Sequence, residues 1–355
     1  MKLCFFGGMS GGGTENACSR LANELAEKYE IFVLSTYKSE PHFPFSEKVH
    51  FHNLKSAGVF KKVLEVLSFL KKNKIDVVIS LEAMSGIFTI LPTKILRKKL
   101  IIWEHANYFQ NQGSKYIGKI RKLETRFADA YVVLTNRDLN NFKSNYKCKA
   151  IMQYIYNIAD ERKANTYDIN SKTIISAGHL RPIKNFTAIP EVGKIVFKKH
   201  PDWCWKIFGN TLGKDYPKIV EKVKEYGIEE NVIFCGRSNQ LEKEYQNSAM
   251  YVMTSLQEGL PMVLLEAKSN GLPLVSFDIQ TGPAEIIRDN VNGYLVPPYD
   301  TDIMAEKLCK LIENNELRKS FSDSAYLDME KFDKKAVAKR WEELITTVQK
   351  NGKNS

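Results

Sequence analysis

The sequence predicts an α/β chain of two doubly wound domains, each a parallel sheet covered by helices on both faces. Three observations lead there. Short apolar runs recur along the whole chain, helical periodicity fills the gaps between them, and a polar stretch breaks the series near the middle. Strands that alternate with helices imply parallel sheets buried on both faces. The 355 residues exceed one ordinary core and fit two domains of roughly 150–180 residues each.

In the first half, apolar runs fall at residues 3–6, 31–34, 77–79, 100–103 and 131–134, with helical patterns over 59–72 and 115–127. The segment 160–171 is polar, lacks a clear period and reads as the linker. A second series then runs through 173–177, 203–208, 232–234, 251–253, 274–276 and 294–296. A last helix over 334–350 carries Val337, Trp341, Leu344 and Val348 near one face, so it needs a partner surface. The expected organisation is a first domain at 1–165, a second at 166–333, and a C-terminal helix at 334–355. That helix is expected to pack back on the first domain, and residues 351–355 form a disordered tail.

Composition narrows the function classes. The hydrophobic fraction of 43% is that of a globular protein. The apolar start reaches glycine at once and reads as a buried strand, not a secretory signal. No run of 18 uncharged apolar residues suggests a membrane span. Six scattered cysteines without a CxxC pair point to a reduced, cytosolic protein. The six histidines show no metal-ligand spacing. Residues 1–165 hold 26 Lys+Arg against 15 Asp+Glu, whereas residues 166–355 hold 26 of each. The whole surplus of +11 therefore lies in the first half and favours a polyanion or an anionic membrane. No aromatic–basic signature or recognition helix points to nucleic acid.

Open parallel sheets bind ligands beyond the carboxyl ends of their strands, and two such domains place the expected site in a cleft between them. The loop after the first strand, residues 7–16, holds five glycines and opens a helix, which suits either an anion or a plain flexible turn. Loop two puts Glu104 and His105 at a strand end. The histidine can meet a substrate or serve as a hydrogen-bonded structural residue. Loop three places His179, Arg181 and Lys184 at an expected helix start, where two cations either await an anion such as a diphosphate or are simply solvated. Loop four reads Glu258-Gly259-Leu260-Pro261, with Pro261 expected in the first helical turn and Glu266 about 7–8 Å further along the axis. Ionised carboxylates only accept hydrogen bonds and so suit hydroxyl donors, although an acidic first turn also merely complements a helix dipole. Loop five, Gly282-Pro283-Ala284-Glu285, is ordinary turn chemistry.

Taken together these segments resemble the retaining glycosyltransferases of the GT-B fold, family four, also called group 1. The most specific element is Glu258 followed by Glu266 with seven residues between them. The glycine-rich first loop, Glu104-His105, Tyr156-Asn157, the Gly282-Pro283-Ala284-Glu285 segment and Asn292-Gly293-Tyr294 accompany it. The resemblance implies that Lys184 binds the donor diphosphate, Glu266 the ribose hydroxyls and Glu258 the donor sugar. It puts His105 by the anomeric centre and Gly12 or Gly13 near the phosphates, with Gly259, Leu260 and Pro261 completing the donor loop. It implies retention, no metal and no cofactor, the nucleoside diphosphate sugar being a substrate. One position departs: His179 stands where the family usually has arginine, and Arg181 is the candidate to replace it.

The helix after His105 sets Lys115, Lys119, Lys122 and Arg126 on one face, beside Tyr116, Ile120, Leu123 and Phe127. This is either an ordinary surface helix or a basic strip for anionic lipid. The expected activity is transfer of a hexose or N-acetylhexosamine, UDP-linked, to a glycan or polyprenyl-linked acceptor. The expected setting is surface polysaccharide synthesis, such as capsule or lipopolysaccharide, at the cytoplasmic face of a membrane. The alternatives are a sugar-nucleotide epimerase on the same fold and an inactive partner subunit.

Overall fold

The computed structural model of the chain describes every residue except Ser10, Gln112, Gly113, residues 162–166 and residues 352–355. Part of the first glycine loop, of the expected linker and of the expected tail thus lies outside the described residues. The chain divides into two compact units, Met1–Ile158 with Glu330–Ser355, and Ala159–Met329.

The first unit runs β1 (Lys2–Gly7), α1 (Gly13–Leu25), β2 (Glu30–Ser35), β3 (Val49–Asn53), α2 (Val59–Lys72), β4 (Val77–Leu81), α3 (Gly86–Ile95), β5 (Lys99–Trp103), α4 (Ile117–Phe127), β6 (Ala130–Val133), α5 (Asn136–Asn145) and β7 (Ile151–Tyr154). The sheet order is β3-β2-β1-β4-β5-β6-β7, parallel throughout. The middle strands are buried on both faces, so they read in sequence as unbroken apolar runs. The two edge strands lack such runs. β3 alternates buried and exposed residues and β7 is only half-buried, which is why continuous hydrophobicity did not reveal them.

The second unit runs β8 (Thr173–Ala177), α6 (Ala188–Lys199), β9 (Cys204–Phe208), α7 (Tyr216–Glu225), β10 (Val232–Gly236), α8 (Leu241–Gln246), β11 (Met250–Met253), α9 (Met262–Ser269), β12 (Leu274–Phe277), α10 (Pro283–Ile286), β13 (Gly293–Val296), α11 (Thr301–Glu313) and α12 (Asn315–Asp323). Its sheet order is β10-β9-β8-β11-β12-β13, again parallel. All six strands expected here are present. The strand order reverses between β8 and β11, as it does between β1 and β4, and ligands favour such switch points.

The last helix, α13 (Lys334–Lys350), belongs to the first unit and packs on α1. Asp333 caps it, its carboxylate accepting from the amides of Lys335 and Ala336 at 2.9 and 3.1 Å. Val337, Trp341, Leu344 and Val348 are all buried, and the Trp341 ring meets Trp103 edge-on at 5.0 Å between centroids.

Candidate active site

At the switch point of the second unit, β8 ends at Ala177, Gly178 follows, and the chain turns through Arg181 into a 3₁₀ turn at Pro182–Lys184. Arg181 and Lys184 were expected at the start of a helix. The helix begins only at Ala188, because Asn185 takes a left-handed conformation, φ 50°, and ends the turn. The two cations therefore flank a 3₁₀ turn and not the first turn of a helix. Lys184 is met instead by Glu258, whose Oε1 accepts from its Nζ at 2.6 Å. Both side chains are largely shielded from solvent. Two further bonds tie the loops together: Leu256 N–H donates to Ile183 at 2.9 Å and Thr254 Oγ1 donates to the Lys184 carbonyl at 3.0 Å.

Pro261 stands one residue outside its expected place. It caps α9, which starts at Met262, and Glu266 is the fifth helical residue. The loop from Glu258 to Pro261 is fixed from behind. Thr281 Oγ1 donates to the Glu258 carbonyl at 2.5 Å, and Gly282, at φ +102°, lies so close that a Cβ there would stand 2.7 Å from Pro261 Cδ and 3.0 Å from the Gly259 carbonyl. Only glycine combines that conformation with that approach. Leu260 is buried beneath the loop. Glu266 is half-buried and accepts from the buried Tyr245 hydroxyl at 3.3 Å. Burial first, then the Glu266 charge, pushes the Tyr245 phenol well above its ordinary range, so it stays a donor.

His179 is half-buried. Burial first, then the charges of Arg181, Arg237 and Lys184, lowers its pKa. It is therefore a neutral ring amid three cations and no charged stand-in for an arginine. Arg237, just past β10, joins this positive cluster without having been marked by its local sequence.

In the first unit, Gly12 caps α1, and a Cβ added there would meet nothing within 4 Å, so a ligand has room to approach. Gly13 is the first helical residue. The loop is held by buried Glu15, which accepts from the amides of Gly11 at 2.6 Å, His42 at 2.5 Å and Phe43 at 3.0 Å. Thr14 Oγ1 donates to Glu82 at 2.7 Å, and Glu82 sits at φ +64° just past β4. A non-glycine residue held there stores about 1–3 kcal/mol of strain.

Glu104 and His105 follow β5 and have separate roles. Glu104 is buried and accepts from Arg121 Nε at 3.0 Å and Tyr131 Oη at 3.3 Å. Arg121 also donates to the carbonyls of Tyr108 at 2.7 Å and Asn107 at 3.0 Å, so the loop is built around its guanidinium. The His105 ring lies over Trp103, 4.4 Å between centroids. Its Nε2 is buried without a hydrogen-bond partner, and burial pushes its pKa down to about 3. It is a neutral imidazole with one uncommitted nitrogen.

On α4 the core side carries Ile117, Ile120, Arg121 and Glu124. Lys115, Lys119, Lys122 and Arg126 are exposed, which both an ordinary surface helix and a basic strip require. Of the apolar residues beside them only Ile120 is buried, while Tyr116, Leu123 and Phe127 face solvent. Among the described residues one group has metal-ligand character, His200, Cys309 and Glu313, which sequence spacing did not reveal. No helix among them is long and apolar enough to cross a membrane.

Two parallel-sheet domains of Rossmann type, each with its polar loops at the switch strands, define the GT-B class of fold. HepE from Anabaena in complex with UDP-glucose superposes with a TM-score of 0.83 at 17% identity, covering 98% of this chain and all of that one. The chain belongs to the group 1, or family 4, glycosyltransferases: residues 157–328 match "Glycosyl transferases group 1" and residues 11–163 match "Glycosyltransferase Family 4". It is 30% identical to the amylovoran biosynthesis glycosyltransferase AmsD of Erwinia amylovora, over 94% of this chain and 96% of that relative. It is 26% identical, over 98% and 99%, to an α-1,4-N-acetyl-D-galactosaminyltransferase of Campylobacter jejuni whose name specifies an undecaprenol-diphosphate-linked glycan. The relatives are thus glycosyltransferases of polysaccharide and glycan synthesis.

Proposed function

We propose that the chain transfers a hexose or N-acetylhexosamine from a UDP-linked donor to a glycan or polyprenyl-linked acceptor, with retention and without a metal, in surface polysaccharide synthesis. The observation that carries this reading is the Lys184–Glu258 pair at 2.6 Å beside the start of α9, with Glu266 further along the same helix. Each charge of the pair is met by the other. A donor diphosphate would draw Lys184 away, with Arg181 as second cation, and release the Glu258 carboxylate to accept from sugar hydroxyls. Glu266, steadied by Tyr245, would accept from the ribose. As the glycosidic bond breaks, charge grows on the diphosphate, and cations fixed beforehand stabilise it more than they stabilise the bound donor. For the first unit, the family pattern assigns His105 to the anomeric centre and Gly12 or Gly13 to the phosphates. A neutral His105 suits hydrogen bonding to substrate better than delivery of a proton.

The names of the relatives support a glycan acceptor, and the UDP-glucose in the HepE complex supports a uridine donor. We place the chain at the cytoplasmic face of the membrane, touching anionic lipid through Lys115, Lys119, Lys122 and Arg126. A screen of nucleotide sugars for binding and turnover, with chelator present and product stereochemistry read by NMR, tests the reading. Donor turnover is expected in the wild type and its loss in Glu258→Ala. Full turnover in that variant overturns the assignment, donor isomerisation without acceptor favours an epimerase, and binding without turnover favours an inactive subunit.

A further inference from the structure

α3 is apolar on two sides, with Phe88 and Ile90 packed against the core. Its buried side holds Gly86, Thr89, Pro92 and Thr93, with Thr89 Oγ1 bonded to Ser80 Oγ at 3.1 Å and Thr93 Oγ1 to the Thr89 carbonyl at 2.7 Å. Its outer side, together with the turn before it, exposes Met84, Ile87, Leu91 and Ile95. Their spacings of three, four and four make a continuous apolar stripe. Leu91 is 56% and Ile95 57% exposed. Phe88 and Ile90 already pack the helix on the core, so the exposed apolar stripe on the opposite side is more than anchoring the helix requires.

The neighbours extend the surface. α3 packs against both α2 and α4. α2 exposes Val59, Leu64 and Phe60, the last at 74%, and α4 exposes Tyr116, Leu123 and Phe127. Exposed apolar residues gathered on three helices packed side by side are of the kind that marks an interaction site. Cations rim it: Lys61, Lys94, Lys119, Lys122 and Arg126 are all exposed. Aromatic rings sit against several cations, with Lys62 over Phe88 at 5.7 Å, Lys119 over Tyr116 at 6.0 Å and Arg126 over Phe127 at 5.7 Å. Carboxylates are scarce. α2 has Glu65, engaged by the amides of Lys55 and Ser56, α3 has none, and Glu124 of α4 is buried.

We propose that the outer faces of α2, α3 and α4 form one platform that seats the first unit on an anionic bilayer, with the α3 stripe inserted at the headgroup–acyl boundary and the cations on lipid phosphates. This deepens the membrane contact proposed above, from four cations on one helix to insertion along three. The charge pattern selects the occupant. A second copy docked on the same face would bring cations onto cations. An anionic lipid surface neutralises them while burying the aliphatics, as amphipathic interfacial helices do. Aromatic–cation pairs suit the headgroup level.

The test is flotation of the full chain with vesicles of phosphatidylcholine alone and of phosphatidylcholine with phosphatidylglycerol, at about 0.05 M and about 0.5 M salt, since the higher value screens surface charge. The wild type is expected to float with anionic vesicles at low salt and to keep a salt-resistant fraction. Leu91→Ser with Ile95→Ser removes only exposed side chains, so the fold survives, as circular dichroism will verify. That variant should lose about a hundredfold of the salt-resistant partition, because each of the two inserted aliphatics contributes on the order of tenfold. Lys119→Gln with Lys122→Gln and Arg126→Gln should lose the salt-sensitive part. A wild type that never floats overturns the platform. So does binding abolished by salt and indifferent to Leu91→Ser with Ile95→Ser, which leaves the basic strip alone. Self-association that this variant abolishes, without vesicle binding, assigns the face to a second copy. Donor binding without vesicles is measured in parallel, so failure of the platform and failure of the transferase reading are separable.

Discussion

Lys184 and Glu258 illustrate how two charges can be held together away from solvent. Each charge alone, removed from water, would be costly, and together they offset that cost. The pair ties the loops after β8 and β11 to one another. Replacing Lys184 by methionine removes the cation proposed for the diphosphate and its ion pair with Glu258. We expect kcat/KM with the accepted nucleotide sugar to fall about 10²–10³-fold, by analogy with the loss of one oxyanion donor. Calorimetric titration with UDP should show the same weakening, and unchanged UDP affinity would remove Lys184 from the phosphate site. His105 supplies a second residue-scale prediction. Its folded pKa of about 3 lies below the ordinary 6.5, so the unfolded chain takes up the proton first. Its contribution is complete above pH 6.5 and is lost as pH falls toward 3. The wild type should therefore lose stability relative to His105→Gln by about 1 kcal/mol per pH unit on acidification through that window, read as melting temperature against pH. Parallel curves would show the ring to be ordinarily solvated.

At the scale of elements, the loop after β5 is the clearest case of local order imposed from elsewhere. Arg121 on α4 holds two of its carbonyls and Glu104, while Asp138 on α5 accepts from the Tyr108 amide at 2.9 Å. Burial raises the Asp138 pKa from 3.8 to about 7. A raised carboxyl contributes stability below its unfolded value and loses it as pH rises through the folded one. Asp138→Asn keeps an oxygen acceptor and cannot ionise. Its advantage over the wild type should grow by about 1 kcal/mol per pH unit between 3.8 and about 7 and then level off. Chemical denaturation at several pH values measures this, and a constant difference would contradict a neutral Asp138. The spacing of Ile117, Ile120, Arg121 and Glu124 already carried the relevant signal, since threes and fours share a helix face. Charged residues on that face were masked by the run of exposed cations around them.

For the whole molecule, the end of the chain returns to the first unit. Trp341 is fully buried and sits on Trp103, the last residue of β5, so α13 completes the layer behind the strand that carries Glu104 and His105. Trp341→Ala should cost about 3–5 kcal/mol through loss of the buried ring and the cavity left behind. With two compact units, unfolding need not be two-state. The expected result is an earlier transition for the first unit, with UDP still protecting a later one. An unshifted first transition would mean that α13 is dispensable to that unit.

The sequence alone determined the two parallel sheets, the loops that carry the polar residues and the Glu258–Glu266 motif. These are local signals: apolar runs long enough to fill a doubly buried strand, glycines where backbone must turn, and residue types at short spacing. It did not reveal β3 or β7, whose half-exposed edges leave no such run. Tertiary structure alone decided that Lys184 meets Glu258, 74 residues away, because β8 lies beside β11. It also decided that Tyr245 steadies Glu266, that Arg237 joins the cations near His179, and that His200, Cys309 and Glu313 come together. The outward stripe on α3 belongs to the same class. Periodicity locates an apolar face, but only the packing of neighbouring helices decides whether that face points to the core or away from it.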